Sequence, residues 1–474
     1  MFRARNTGTG TDGAVGQNAA AAPVQPLQAI SSSTGISRRS LLRAGGVLGV
    51  GAAAVPLLNA CGRSSGSASG GGAGAGGSYT MWAMSDTVHV MEHFAKQYKS
   101  TVNKDFDLRI TEVPTGLSLR AKIISASAAG RLPDLLDLSM NYGSDFATYN
   151  MFEPLGGALP SDLATKAAMY KKVWNWADTK DIPGFEGEQH IFGVPYAMSV
   201  FVPAYRVDFL KAVNAEFPKT WDELVEVGQK LTRAPSRYAL SIPTSGDLMD
   251  EFHPFLMQAG ATYVDKGLTK AFPDREAAYR GFEFYRDLSV KYGIAPKQAP
   301  DRFAGDPVQR LSSGQVAITT LSTLSINALQ KSAPNLKFGP DGQWFAGKFW
   351  EGPGGPGGYF NANALHLRRG VKNVQAAVDF MVWLVQPERQ LELYKEFNRP
   401  PINTDVWKQL ADDPAFAIYK ASIETSERQG GFKAWKLAEF VIDRGVERIV
   451  LGGEDVKAVV DETAKDMLQA LQNA

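Results

Sequence analysis

The chain of 474 residues has one cysteine and only five histidines. A single cysteine cannot form an intrachain disulfide, so the fold must be held by burial of apolar side chains, which make up 44% of the sequence. The histidines are scattered, and we find no acid–base constellation among them. The 50 basic and 49 acidic residues are nearly balanced and form no basic cluster. This balance argues against a nucleic acid as partner.

Long apolar runs are scarce as well. Residues 44–58 are too short to span a bilayer as a helix but suit the central part of an export signal. They follow the pair Arg38 and Arg39, and Leu58-Asn-Ala-Cys61 comes next. A twin-arginine pair is typical of the route that exports folded proteins, and the tetrapeptide resembles a lipobox. We therefore predict lipidation of Cys61, with a soluble secreted protein as the alternative.

The N-terminal composition predicts where folding begins. Residues 1–60 form the signal region with a disordered start, and residues 61–77 are a tether rich in Gly and Ser. Residues 1–60 contain five Arg and one Asp, which leaves 45 basic and 48 acidic residues beyond them. The remaining part, from residue 78 onward, is longer than one hydrophobic core usually supports, so two lobes are expected.

Predicted strands and helices alternate along this part. Period-2 and apolar patterns predict strands at 79–84, 106–111, 135–138, 239–242 and 316–320. Helical patterns cover 221–231, 275–292, 373–385 and 455–472, and the last hundred residues are mostly helical. This alternation indicates an α/β fold with a parallel sheet.

Several short motifs occur in a fixed order. They are Phe94-Ala-Lys-Gln-Tyr98, Ala129-Gly-Arg-Leu-Pro-Asp134, Gly193-Val-Pro-Tyr196, Pro218-Lys-Thr-Trp-Asp-Glu-Leu224, Ser313-Gly-Gln-Val-Ala317, and Asn373 to Phe380 with Gln386-Pro-Glu388. In this order they resemble the family 1 extracellular solute-binding proteins, lipoprotein receptor components of ABC importers related to maltose-binding protein. Where that family often carries Asn-Gly-Pro-Trp, this chain has Leu321-Ser-Thr-Leu324, so the sugar-stacking tryptophan is absent.

The resemblance implies a type II periplasmic-binding-protein fold, in which two α/β lobes close on a ligand by hinge motion. By analogy the crossings between lobes lie near 197–200, 349–354 and 398–402. The expected boundaries are 78–197 with 353–398 for lobe one, and 200–350 with 402–474 for lobe two.

Candidate ligand contacts follow from the rule that ligands bind beyond the carboxyl ends of strands, and from the expected crossings. They are Trp82, Asp86, Asn141, Tyr142, Asp145, Tyr196, Ser199, Asp247, Ser322, Trp350, Glu351, Tyr359, Asn361 and Arg399. Aromatic faces suit the apolar face of a sugar ring, while amides and carboxylates bind hydroxyls. Each also has a plainer interpretation: core packing for an aromatic residue, helix capping for an aspartate, a structural salt bridge for Arg399.

Two motifs formally match enzyme patterns. His89-Val-Met-Glu92-His93 fits a zinc-peptidase pattern, but on the predicted helix these three side chains turn away from the apolar stripe, toward solvent. Gly352-Pro-Gly-Gly-Pro-Gly357 fits a phosphate-binding pattern, but its prolines lack the required N–H groups. We interpret it as a pliable crossing close to the ligand. No metal and no cofactor are expected.

The resulting prediction is a non-enzymatic, monomeric receptor tethered by lipid at the outer face of the cytoplasmic membrane. It binds a sugar or oligosaccharide between its lobes and delivers it to an ABC importer permease. A carbohydrate-active hydrolase is one alternative, and it would need paired cleft carboxylates, such as Asp86 with Asp145 or Asp247 with Glu351. A sensory receptor is another. Polyols, glycerol-phosphate diesters and polyamines stay open as ligands.

Overall fold

The computed structural model describes residues 77–244, 248–297, 306–426, 428 and 430–473. The predicted signal with Arg38, Arg39 and Cys61 lies outside the described residues, as does Asp247. None of the helices in the described ranges combines the length and the apolar character needed to cross a bilayer.

The strands are β1 (Ser78–Met84), β2 (Asp107–Val113), β3 (Leu135–Ser139), β4 (Val194–Arg206), β5 (Tyr238–Ser241), β6 (Val316–Ser322), β7 (Trp344–Ala346), β8 (Glu351–Gly352), β9 (Gly355–Pro356) and β10 (Tyr359–Leu367). The helices of the first half are α1 (Val88–Thr101), α2 (Leu117–Ala128), α3 (Met140–Ala147), α4 (Leu163–Lys166), α5 (Lys171–Trp176), α6 (Val207–Ala212), α7 (Trp221–Leu231) and α8 (Met249–Gln258). The remaining helices are α9 (Arg275–Val290), α10 (Pro307–Ser312), α11 (Thr323–Ser332), α12 (Val374–Leu384), α13 (Pro387–Phe397), α14 (Thr404–Gln409), α15 (Pro414–Thr425), α16 (Trp435–Glu447) and α17 (Val456–Gln472). Thr179–Asp181 forms a 3-10 turn and Arg448–Gly452 a π-helical turn.

Eight of the described strands form one mixed sheet in the order β2-β1-β3-β10-β4-β6-β5, with β7 paired to β4. β1 is parallel to β2 and β3, and β5 is parallel to β6. β10, however, runs antiparallel to β3 and β4, and β4 runs antiparallel to β6. The prediction of a parallel sheet is therefore wrong for the centre of the sheet. The alternation of strands and helices predicts only how elements that are neighbours in sequence are arranged. β10 comes from far along the chain and inserts between β3 and β4.

The long strand β4 joins the two halves of the sheet. Its first part pairs with β10 through Phe201, and its second part pairs with β6 from Phe201 to Tyr205. All of its residues are buried except Tyr205, which is partly buried. Such continuous burial is expected for a strand covered on both faces.

Two hydrophobic clusters form the core, as the length predicts. The first surrounds β1, β3 and β10, and the second lies among α7, α8, α9, α16 and α17. Phe416 and Ile423 of α15 pack in the first cluster, and the chain joins the second cluster at Phe432. The lobe boundaries and the crossings stay a prediction.

Helix α7 shows how a local motif sets an element. The Thr220 hydroxyl accepts a hydrogen bond from the Glu223 N–H at 3.2 Å, and the Glu223 carboxylate accepts one from the Lys219 N–H at 2.7 Å. This reciprocal capping begins the helix at Trp221. The Trp221 ring stacks on Phe284 with centroids 3.9 Å apart, and its Nε1 donates to Gln258 at 2.7 Å. Trp221 is therefore a packing residue of the second cluster.

The two motifs that match enzyme patterns make structural contacts. His93 Nε2 lies 2.7 Å from a Glu392 carboxylate oxygen, and the described residues contain no group of three His, Cys, Asp or Glu placed to hold a metal ion. The glycine-rich segment forms a hairpin of β8 and β9 that packs on the end of α8, and its role as a pliable crossing stays a prediction. The Gly354 N–H donates to the Gln258 carbonyl at 2.7 Å, and a Cβ at Gly354 would collide with the backbone of Gly260. The motif alone does not reveal this packing.

Candidate functional site

A cavity of about 380 Å³ lies where both halves of the sheet end. The loop after β1 and the starts of α2 and α3 form one wall, and α8, α10, α11 and α16 form the other. β4, β6 and β10 supply the floor. The volume falls in the range typical of small-molecule sites.

The structure brings together half of the predicted contacts. Those that line the cavity are Asp86, Asn141, Tyr142, Ser199, Ser322, Tyr359 and Asn361. Those that do not are Trp82, Asp145, Tyr196, Trp350, Glu351 and Arg399. The strand-end rule therefore found the cavity, but it did not separate side chains that face it from those that face the core.

The side chains of the cavity floor lie on one face of the sheet, because successive side chains of a strand point to opposite faces. Ser199 lies opposite Asn361, and Phe201 opposite Tyr359, in the antiparallel pair of β4 and β10. Residues two apart in a strand share a face, so these four side chains form one surface. The rings of Phe201 and Tyr359 have centroids 4.7 Å apart. Asn363, which the sequence analysis missed, also lines the cavity, and continuing the same period-2 pattern would have found it.

The first turn of α3 forms part of one wall. Asn141 and Tyr142 directly follow β3, and the Tyr142 hydroxyl donates to the Gly116 carbonyl at 3.0 Å. From the opposite wall, Lys436 Nζ lies 5.1 Å from the centre of the Tyr142 ring. The second wall also contributes Asp250, Glu251 and Glu439, which no local sequence pattern marks as cavity residues. α8 and α16 reach the cavity only through tertiary packing.

Arg399 holds the loop that carries Asp86 into the cavity. Its side chain is 0% exposed, and Nη2 donates to the Asp86 carbonyl at 2.8 Å and to the Asp86 carboxylate at 2.9 Å. Nη1 lies 3.4 Å from the Asn363 side-chain oxygen. One guanidinium thus braces two residues of the cavity lining. This geometry agrees with the structural salt bridge that the sequence left open for Arg399.

Beneath the same loop lies a fully buried carboxyl. The Tyr196 hydroxyl is 3.1 Å from each carboxyl oxygen of Asp137. Burial raises the pKa of Asp137 to about 7, and the nearby charge of Asp86 adds to the rise, while the Thr87 and Tyr196 hydrogen bonds and Arg399 oppose it. Tyr196 therefore serves the core beneath the cavity.

This raised pKa predicts a pH dependence of stability. Between about pH 4 and pH 7 the folded state binds more protons at Asp137 than the unfolded state, so stability falls as pH rises through this window. We expect a loss of order 2–4 kcal/mol. Asp137→Asn should flatten this slope and raise the melting temperature above that of wild type at pH 8. The exposed Asp107→Asn variant is the control, and an unchanged slope in Asp137→Asn would contradict the assignment.

The other predicted contacts are placed by packing. Trp82 is partly buried under Lys122, whose Nζ lies 4.5 Å from the ring, and Trp350 packs beside Phe255 with centroids 5.6 Å apart. Glu351 is exposed on β8. Asp145 is buried in a salt bridge with Arg120.

Each carboxylate pair considered for a hydrolase has at least one member that does not line the cavity. Asp86 lines it but Asp145 does not. Glu351 lies outside it as well, and its partner Asp247 lies outside the described residues.

The family model of the bacterial extracellular solute-binding proteins matches residues 92–418. The chain belongs to this family. The match runs from within α1 to the first part of α15 and so includes most of the residues that line the cavity. The resemblance read from the short motifs is confirmed.

Individual relatives of this solute-binding protein are distant. The maltotriose-binding protein of Pyrococcus abyssi (strain GE5 / Orsay) is 22% identical over 348 residues, 71% of this chain and 69% of that protein. A putative ABC transporter periplasmic-binding protein of Escherichia coli (strain K12) is 27% identical over 174 residues, 36% of this chain and 38% of that protein.

A solved structure shows the shared fold. The GacH receptor of Streptomyces glaucescens GLA.O, crystallised without ligand and with acarbose, matches 84% of this chain and 99% of its own. The TM-score is 0.71 at 18% identity. The two-lobed α/β fold of this solute-binding protein is therefore confirmed.

Proposed function

We propose that this solute-binding protein is the extracellular receptor of an ABC importer, and that it binds a sugar or oligosaccharide in the cavity between its lobes. The observation that carries the proposal is the cavity itself, in which amides, hydroxyls and carboxylates from both walls surround a floor with two aromatic rings. The maltotriose-binding relative and the acarbose complex of the GacH receptor support a saccharide ligand. Binding, closure and delivery involve no covalent step.

The lining suits a polyhydroxylated ligand. A sugar hydroxyl both donates and accepts hydrogen bonds, and the amides of Asn141, Asn361 and Asn363 can do both in return. Tyr359 and Phe201 offer apolar surface to the C–H face of a ring. The absent tryptophan at 321–324 is thus partly replaced by aromatic residues of the floor.

The charges disfavour an anionic ligand. Among the described lining residues, the carboxylates are Asp86, Asp250, Glu251, Asp306 and Glu439. Lys436 is the one basic residue in that described lining, and its Nζ lies 2.6 Å from Glu439. A phosphodiester would meet like charge here. Neutral sugars and polyols are favoured over glycerol-phosphate diesters.

The proposal also includes a lipid anchor at Cys61 and export through the twin-arginine signal. It is supported by the order of basic pair, apolar run, cysteine and Gly/Ser tether. The tether would leave the lobes free to meet permease subunits at the outer face of the membrane.

A ligand screen tests this function. The full-length protein is melted with glucose, maltose, maltotriose, glycerol, glycerophosphocholine and spermidine. A ligand at a hundredfold excess over its Kd should stabilise the fold by about 2.7 kcal/mol. We expect a saccharide to raise the melting temperature and glycerophosphocholine to have no effect.

Variants locate the site. Asn361→Ala should weaken saccharide binding by about five- to thirtyfold, because one or two hydrogen bonds to the ligand are lost. The control is Glu351→Gln, which lies outside the cavity and should bind as wild type does. A silent saccharide panel, or binding unchanged in Asn361→Ala, would contradict the proposal. Release of glucose from maltotriose would favour the hydrolase instead.

A further inference from the structure

Besides the sheet, a second contact joins the two halves of the molecule. Helix α3 packs in the first core cluster, and the start of α16 packs in the second. The Asp145 carboxylate of α3 accepts a hydrogen bond from the Ala434 N–H at 2.8 Å. Ala434 directly precedes α16, so this bond fixes the point at which α16 begins.

Asp145 is itself held from the first half. Arg120 Nε of α2 donates to its second carboxylate oxygen at 2.8 Å, and the Asp145 side chain is 0% exposed. Burial raises the pKa of Asp145, and the Arg120 guanidinium and the Ala434 N–H oppose this rise. One buried carboxylate therefore bonds α2 with one oxygen and α16 with the other.

Arg428 makes a parallel connection. Its guanidinium donates to the Met140 carbonyl at 3.2 Å and to the Ser144 hydroxyl, both on α3. It also lies 5.5 Å from the centre of the Trp176 ring. Arg428 follows α15, which packs in the first cluster, and precedes α16, whose start packs in the second, so these contacts hold Arg428 against α3 between the two clusters.

Just before α16 the backbone conformation is constrained. Gly430, Gly431 and Ala434 have φ values of 65°, 84° and 59°. A Cβ at Gly430 would collide with the Trp435 ring, and one at Gly431 with the Arg428 guanidinium. Glycine is needed at these two positions because they combine left-handed backbone with close approach.

We propose that Asp145 and Arg428 are positioning residues that dock the start of α16 onto α3 and so set how the two cavity walls face each other. The first turn of α3 carries Asn141 and Tyr142, and the first turns of α16 carry Lys436 and Glu439, all of which line the cavity. Neither Asp145 nor Arg428 lines it. Opening of the cleft by motion of α16 would break these bonds, so they slow the release of a bound ligand. The effect on affinity rests on the proposed function, but the docking itself does not.

The primary test uses the ligand-free full-length protein. Asp145→Asn keeps the size of the side chain but removes its charge, so the ionic bond to Arg120 is lost and the hydrogen bond from the Ala434 N–H loses its charge assistance. We expect a larger radius of gyration by small-angle X-ray scattering and about tenfold faster amide hydrogen exchange at residues 432–438. The control is Asp134→Asn, which loses a 3.0 Å salt bridge to Arg368 within the first half. It should lower the melting temperature and leave both readouts at wild-type values.

A kinetic readout uses maltotriose as the probe. Asp145→Asn should release it about tenfold faster, with little change in the association rate, since contacts of the closed state act mainly on dissociation. If wild type does not bind maltotriose, the proposed function fails for this sugar, and the ligand-free readouts still decide the docking role. If Asp145→Asn has the radius of gyration and the amide hydrogen exchange rates of wild type, the inference is overturned. If that variant does not fold, Arg428→Met is measured in the same way.

Discussion

Replacing Arg399 with methionine is expected to destabilise the folded protein by about 1–3 kcal/mol and to weaken ligand binding at the same time, since the guanidinium is fully buried but the Asp86 carboxylate is 39% exposed. The Arg399 side chain is fully buried and bonds the carboxylate and the carbonyl of Asp86. Methionine fills similar space but leaves Asp86 without its countercharge next to the buried Asp137. The loop after β1 then loses the brace that presents Asp86 to the cavity.

Urea unfolding measures the first effect, because the free energy of unfolding extrapolates linearly to water. The matched control is Arg448→Met. Arg448 pairs with Glu454 and Glu462 at 2.6 and 2.8 Å, but these three side chains are 32–54% exposed. Exposed pairs contribute about 0–1 kcal/mol, so this variant should remain close to wild type. A loss below 1 kcal/mol in Arg399→Met would show that Asp86 does not depend on Arg399.

Replacing Cys61 with serine is expected to release the protein from the membrane. Lipid chains on the cysteine would provide the anchor, and serine cannot carry the thioether. Two chains hold a protein stably, whereas one chain gives only marginal attachment, with a partition constant of about 10⁴ M⁻¹. In a bacterial host that lipidates exported proteins, wild type should sediment with membranes and Cys61→Ser should be found in the soluble exported fraction.

Two further variants make this result specific. Ser64→Ala, in the tether, should behave as wild type. Arg38→Lys with Arg39→Lys should keep the protein inside the cell if export follows the twin-arginine route. Cys61→Ser that still sediments with membranes would show that another segment, such as the apolar run at 44–58, provides the attachment.

Local patterns predicted most elements of the fold. The helix expected at 221–231 is α7 to the residue, because Thr220, Trp221 and Glu223 carry both its cap and its first packing contact. The strand expected at 135–138 is β3 with one more residue. In these cases the deciding interactions lie within a few residues of each other, so the sequence is sufficient.

The direction in which strands pair was not determined by nearby residues. β10 follows β3 by more than two hundred residues, yet it lies beside β3 and turns the centre of the sheet antiparallel. The hairpin of β8 and β9 likewise owes its place to Gly260 and Gln258 of a distant segment. Nothing near these residues in sequence specifies either partner.

The order of the short motifs was enough to recognise the family and, through that resemblance, the two-lobed α/β fold. Periodicity along the chain was enough to place the strand ends that surround the cavity. Tertiary structure decided which side chains face the cavity. Asn141 and Asp145 lie on one short helix, yet the first lines the cavity and the second is buried against Arg120 and Ala434. The opposite wall, with Glu251 and Glu439, arrives on helices of the second cluster. A turn of helix or one position along a strand separates a residue that lines the cavity from a core residue, and only the packing of distant segments fixes that choice.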